Sequence, residues 1–168
     1  LTEREGKFLW CGATMHSVED TADCNYMDST GRIFDKAPYF SAENIYFTFY
    51  GSITDEIDGQ ILDEHYLSLT EFTTLETFIE SLDNSSVASF ACEEKEDEFV
   101  LYLGKTMGEN MPYMTWKRSA DLAHLKSNID SALATEPFKT RFHTELSNLE
   151  YIDLRFENKV YYKFKPTF

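Results

Sequence analysis

The chain predicts an α+β fold: an antiparallel to mixed β-sheet with two to three helices packed on one face, ending in a C-terminal edge hairpin. Several runs rich in Phe, Tyr, Val and Ile follow the two-residue period of a strand or are short and wholly apolar, and aromatics make up 15% of the 168 residues. Three other stretches space their apolar residues three to four apart, as a helix does. The order is strands, helix, strands, helices and a final hairpin, which keeps the helices on one side of one sheet.

In chain order, Leu1–Cys11 is extended, with Phe8–Cys11 its apolar part, and Gly12–Asp23 is a polar loop. Cys24–Asp28 and Arg32–Phe34 read as two strands joined by a turn in which Gly31 supplies a positive φ. Asn44–Tyr50 is a strong strand of aromatic and β-branched residues, and its run from Ile45 to Tyr50 reads as burial on both faces. Residues 52–67 hold a polar loop and a weak apolar pattern at Ile61-Leu62. Ser68-Leu-Thr-Glu71 has capping-box spacing and opens a helix with Phe72, Leu75, Phe78, Ile79 and Leu82 on one face. Val87–Glu93 and Glu98–Leu103 form a hairpin around the acidic turn Glu94–Asp97. Gly104 and Gly108 punctuate a further short strand, and Pro112–Trp116 is another. Ser119 is the expected cap of a second helix bearing Leu122, Leu125, Ile129 and Leu133. Pro137 fits the first turn of a third helix with Phe138, Phe142 and Leu146.

The last stretch is the most informative. Ile152, Leu154 and Phe156 alternate with Asp153 and Arg155; Glu157-Asn158 breaks the pattern; then Val160, Tyr162 and Phe164 face one way and Lys159, Tyr161, Lys163 and Lys165 the other. Pro166 has no N–H to donate, so pairing stops there. A terminal strand of this kind is an edge with unpaired backbone groups. Its lysines either guard that edge against aggregation or mark where a partner chain adds a strand.

A formal net charge of -15 argues against nucleic acid and against an anionic membrane surface. No apolar run approaches the length of a membrane span, and the start at Leu1 rather than Met is what a piece of a longer protein shows. Cys11 and Cys24 flank the polar loop and either close it as a disulfide, implying an oxidising compartment, or stay buried thiols; Cys92 reads as core. His16, His65, His124 and His143 have no metal-ligand spacing, and His124 and His143 fall on polar helix faces. Glu93-Glu94-Glu96-Asp97-Glu98 lacks the alternating ligands of a calcium loop and reads as a solvated tip. No nucleophile, phosphate-binding or metalloprotease motif is present, and no catalytic residue, cofactor or metal is expected. Asp153 and Arg155 share a strand face as an ion pair or as partners for neighbouring strands. Two other readings are a secreted hydrolase with a carboxylate pair across a cleft, and an extracellular ligand-binding β domain using Ile45–Tyr50 as an aromatic platform.

Tyr151-Ile-Asp-Leu-Arg-Phe156 resembles the strand near the end of the bacterial cell-division protein family FtsQ (DivIB in some lineages). Leu1–Trp10 looks like the exit from that family's POTRA domain. Tyr26-Met-Asp28, Gly31 and Phe34-Asp-Lys-Ala-Pro38 resemble its hairpin, and Leu122, Leu125 and Ile129 its leucine-patterned helix. Gly6 stands where the family often has Pro, and the Cys11–Cys24 loop is an addition. The resemblance implies residues 1–11 as the end of a POTRA-like domain or connecting strand and 12–168 as the β domain. It implies a non-enzymatic scaffold of the septation machinery in a single-pass protein of the cell inner membrane, with this region on the periplasmic side. Partners of the FtsB and FtsL type would add a strand at the terminal edge. Carried over by position, the contact surface is Arg155, Phe156, Asn158, Lys159 and Phe164, with Tyr162 adding apolar anchoring. Lys159 takes a position where a small residue is usual. Three lysines within seven residues of an acidic chain call for an acidic partner segment.

Overall fold

A computed structural model describes residues 3–15, 24–38, 46–53, 61–105 and 110–167. Nine strands form one mixed sheet: β1 (Phe8–Trp10), β2 (Asn25–Met27), β3 (Ile33–Lys36), β4 (Thr48–Tyr50), β5 (Ser89–Lys95), β6 (Glu98–Leu103), β7 (Tyr113–Lys117), β8 (Leu149–Phe156) and β9 (Lys159–Phe164). Their order across the sheet is β3-β2-β1-β4-β5-β6-β7-β8-β9. The helices are α1 (Leu69–Asn84), α2 (Leu122–Leu133) and α3 (Phe138–Thr144), followed by a 3₁₀ turn at Leu146–Asn148. Among the described residues no helix is long and apolar enough to cross a membrane.

The sheet is mixed, within the α+β class that the sequence predicts. The pairs β1–β4, β4–β5 and β7–β8 are parallel. A parallel neighbour needs a crossover, and the helices supply two of them: α1 lies between β4 and β5, and α2 with α3 lies between β7 and β8. One core cluster joins Phe72, Leu75, Phe78 and Leu82 of α1, Leu125 and Ile129 of α2, and Phe138 and Phe142 of α3 to Phe49, Cys92, Leu101, Met114, Trp116 and Ile152 of the strands. All three helices therefore cover the same face. β1 sits inside the sheet, paired to β2 and β4. The segment read as an exit from a preceding domain thus contributes an interior strand here.

Local chemistry accounts for the element ends. The Ser68 hydroxyl oxygen accepts the Glu71 amide at the start of α1, as its spacing predicts. The cap of α2 is Asp121, not Ser119: its Oδ1 accepts the amides of Ala123 and His124 at 3.0 and 3.1 Å. A carboxylate that reaches two orphan donors outcompetes a hydroxyl two residues earlier. Gly31 has φ +80, and a Cβ there would meet the Phe72 ring at 2.7 Å, so the β2–β3 turn requires glycine twice over. Thr48, Phe49 and Tyr50 are all buried, as the apolar run predicts; residues 44 and 45 lie outside the described residues. The short strand expected between Gly104 and Gly108 is absent at Gly104 and Lys105, and residues 106–109 lie outside the described residues. Cys11 and Cys24 are joined as a disulfide, and Cys92 is a buried free thiol.

Candidate functional site: the β9 edge and its two faces

β9 ends the sheet, so one side of it faces no other strand among the described residues. The Lys165 amide donates to the Asn148 carbonyl at 2.7 Å, which turns the Lys165, Lys163 and Tyr161 backbone groups toward β8. With the two-residue period, the N–H and C=O groups of Val160, Tyr162 and Phe164 point outward. These three residues offer a row of donors and acceptors that a further strand can complete.

The side chains divide the site in two. Val160, Tyr162 and Phe164 lie on the helix face. The Phe138 ring stands 4.3 Å from that of Tyr162 and 6.2 Å from that of Phe164. The Arg141 guanidinium lies 4.1 Å over the Phe164 ring, and Phe164 is buried. This corrects the expectation that the Phe164 ring anchors a partner. The Phe164 ring is already spent on α3 and Tyr162 is half-covered; what both residues present outward is backbone. Beside them, between α2 and β9, runs a groove of about 330 Å³ lined by Asn128, Ala132, Thr135, Phe138, Val160 and Tyr162, among others.

Lys159, Tyr161 and Lys163 lie on the opposite, open face. Phe156 joins them there, against the alternation that places it with Ile152 and Leu154. Asp153 pairs with Tyr161 and Phe156 with Lys159, so three steps along β8 match two along β9. That extra residue is a β-bulge, and it rotates Phe156 out of the core face. Phe156 is 52% exposed, and its ring meets Tyr161 edge-on at 5.1 Å.

Arg155 is committed inside this chain. Its Nε and Nη2 donate to Asp153 Oδ1 and Oδ2 at 2.9 and 2.7 Å, and Nη1 donates to Glu98 at 3.1 Å. Burial pushes the Asp153 carboxyl up, but hydrogen bonds and charge from Arg155 more than offset this and hold it below the usual carboxylate range. Lys163 is paired to Glu150 at 2.8 Å. Lys159 is exposed and has no ion pair among the described residues.

Asn158 is exposed, and its side chain is bonded within the chain. Its Oδ1 lies 3.0 Å from His124 Nε2, which also lies 3.2 Å from the Glu157 carbonyl, and Asn128 Nδ2 donates to that carbonyl at 3.0 Å. His124 and Asn128 therefore pin the β8–β9 turn to α2. Nothing local in the sequence reveals this, because the contact spans some thirty residues.

The opposite rim of the sheet is different. The Ile33 amide donates to the Glu64 carbonyl at 2.8 Å and the Asp63 amide to the Ile33 carbonyl at 2.7 Å, so the chain covers β3 there with its own backbone.

The aromatic platform expected over Ile45–Tyr50 finds no exposed surface at Thr48–Tyr50. A carboxylate pair does exist: Glu71 and Glu94 line a cavity of about 620 Å³. Hydrogen bonding from Arg118 lowers Glu71, whereas burial raises Glu94 against the pull of the same arginine. The split has the sense that acid–base chemistry needs. Yet one guanidinium holds both, at 3.0 and 2.9 Å, and a substrate would have to displace it. Among the described residues, no group of three or more His, Cys, Asp or Glu is placed to hold a metal ion. No protein-family model matches the chain, and no curated protein matches it.

Proposed function

We propose that this chain is a non-enzymatic docking domain of the bacterial septation machinery, of the FtsQ/DivIB kind. In this reading it receives a strand from an FtsB- or FtsL-type partner along β9. It would stand outside the cytoplasm, held to the inner membrane by a single span in a preceding segment. One observation carries the reading: the Tyr151–Phe156 motif strand is β8, and it delivers the chain directly into an edge whose outward backbone groups meet no strand among the described residues. The Cys11–Cys24 disulfide is consistent with an oxidising compartment.

Val160→Pro tests it. Among the described residues the outward amide of Val160 pairs with nothing, so proline there costs the fold little. It removes one donor from the docking row and puts a ring where the incoming backbone must lie. The expected result is a folded domain with partner binding weakened by more than about tenfold. Unchanged binding by a folded Val160→Pro variant would end the proposal.

A further inference from the structure

Resting on that reading, we infer that the β9 edge selects an extended polypeptide segment of two-sided character. Apolar side chains face the groove between α2 and β9, and carboxylate side chains face Lys159. A strand laid along β9 keeps the faces of its host, because residues directly opposite one another project to the same side. Guest residues opposite Val160, Tyr162 and Phe164 therefore enter the helix layer. There the 330 Å³ groove offers them the apolar surface of Ala132, Phe138 and the half-buried Val160 and Tyr162, together with polar side chains that include Asn128 and Thr135. A guest carboxylate placed there would lose water and meet the like charge of Glu136, whose carboxylate accepts the Thr140 hydroxyl at 2.8 Å.

Guest residues opposite Lys159, Tyr161 and Lys163 enter the open face. Lys159 is the cation there with no ion pair among the described residues; Lys163 is already neutralised by Glu150, and Arg155 by Asp153 and Glu98. The chain's net charge of -15 does not forbid an acidic guest. At physiological salt a field is screened over about 8 Å, so the nearest lysine outweighs distant carboxylates. A guest carboxylate is thus recognised at the Lys159 end, while Phe156 and Tyr161 flank it with exposed rings.

Three ten-residue synthetic peptides test this: alternating Val and Glu, alternating Val and Lys, and the Val–Glu composition in two blocks. Binding is read by titration, and the β9 amide resonances report strand pairing. The alternating Val–Glu peptide is expected to bind about fivefold or more tighter than either other. Lys159→Glu is expected to reverse the Glu-over-Lys preference, and Lys163→Glu to shift it less. Ala132→Arg, which fills the groove, is expected to weaken every alternating peptide, with melting temperature confirming that each variant is folded. If Val–Glu and Val–Lys peptides bind alike while both shift the Val160, Tyr162 and Phe164 amides, the charge rule is wrong and strand addition stands. If no peptide moves those amides, strand addition fails and takes this inference with it.

Discussion

The two rims of this sheet are handled in opposite ways. At β3, residues 63 and 64 return along the outside and close the backbone of Ile33 in both directions. At β9, no described segment returns, and the outward groups of Val160, Tyr162 and Phe164 stay unpaired. Below each rim one core residue is closed off: Ile33 is fully buried and Phe164 nearly so. The difference teaches that β9 is not loose because the core runs out there. Phe164 is held under α3 while the hydrogen-bonding side of the strand is bare, which is the condition of a receiving strand.

Substitution sharpens the contrast. Ile33→Pro removes an amide bonded to Glu64 and leaves a cavity, so a loss of about 4 kcal/mol is expected in urea unfolding. Val160→Pro is the mirror experiment, expected to cost less than about 1 kcal/mol. Similar losses at the two sites would erase the distinction.

The disulfide offers the next largest effect. It closes a loop with a sequence separation of 13 beside the covered rim, and replacing both cysteines by alanine should cost about 3 kcal/mol. Partner affinity at β9 should not change at fixed folded fraction; a parallel drop would mean that the rims are coupled.

The smallest effect concerns how the open rim is braced. Arg155 holds Asp153 below its ordinary value, so that carboxylate contributes stability above the unfolded-state pKa of about 3.9. The contribution is lost as pH falls through the lower folded-state value. Arg155→Met should therefore flatten the acid limb of the stability profile below about pH 4. An unchanged limb would show that the pairing does not brace β8.

Much of this architecture is legible in the residues, and the exceptions have physical causes. The period of Phe72, Leu75, Phe78 and Ile79 predicts α1 and its buried face, and the alternation through Val160–Phe164 predicts β9 and both of its sides. Periodicity assigns faces but not neighbours, so the parallel pairings of β4 with β1 and β5 are hidden. Alternation also assumes one residue per step. The bulge between Asp153 and Phe156 breaks that assumption and carries Phe156 to the face opposite the expected one. The occupied state of Phe164 is invisible for another reason: Phe138 and Arg141, which cover it, come from a helix more than twenty residues earlier. Aromatic residues at a carried-over contact position read alike whether the ring or the backbone is what a partner meets.

The grip of His124 and Asn128 on the hairpin turn has a kinetic consequence. A host strand already locked at its leading end loses little freedom when a guest arrives, so the ordering entropy falls almost wholly on the incoming segment. Related guests should then be captured at similar speeds and be sorted by how long they remain.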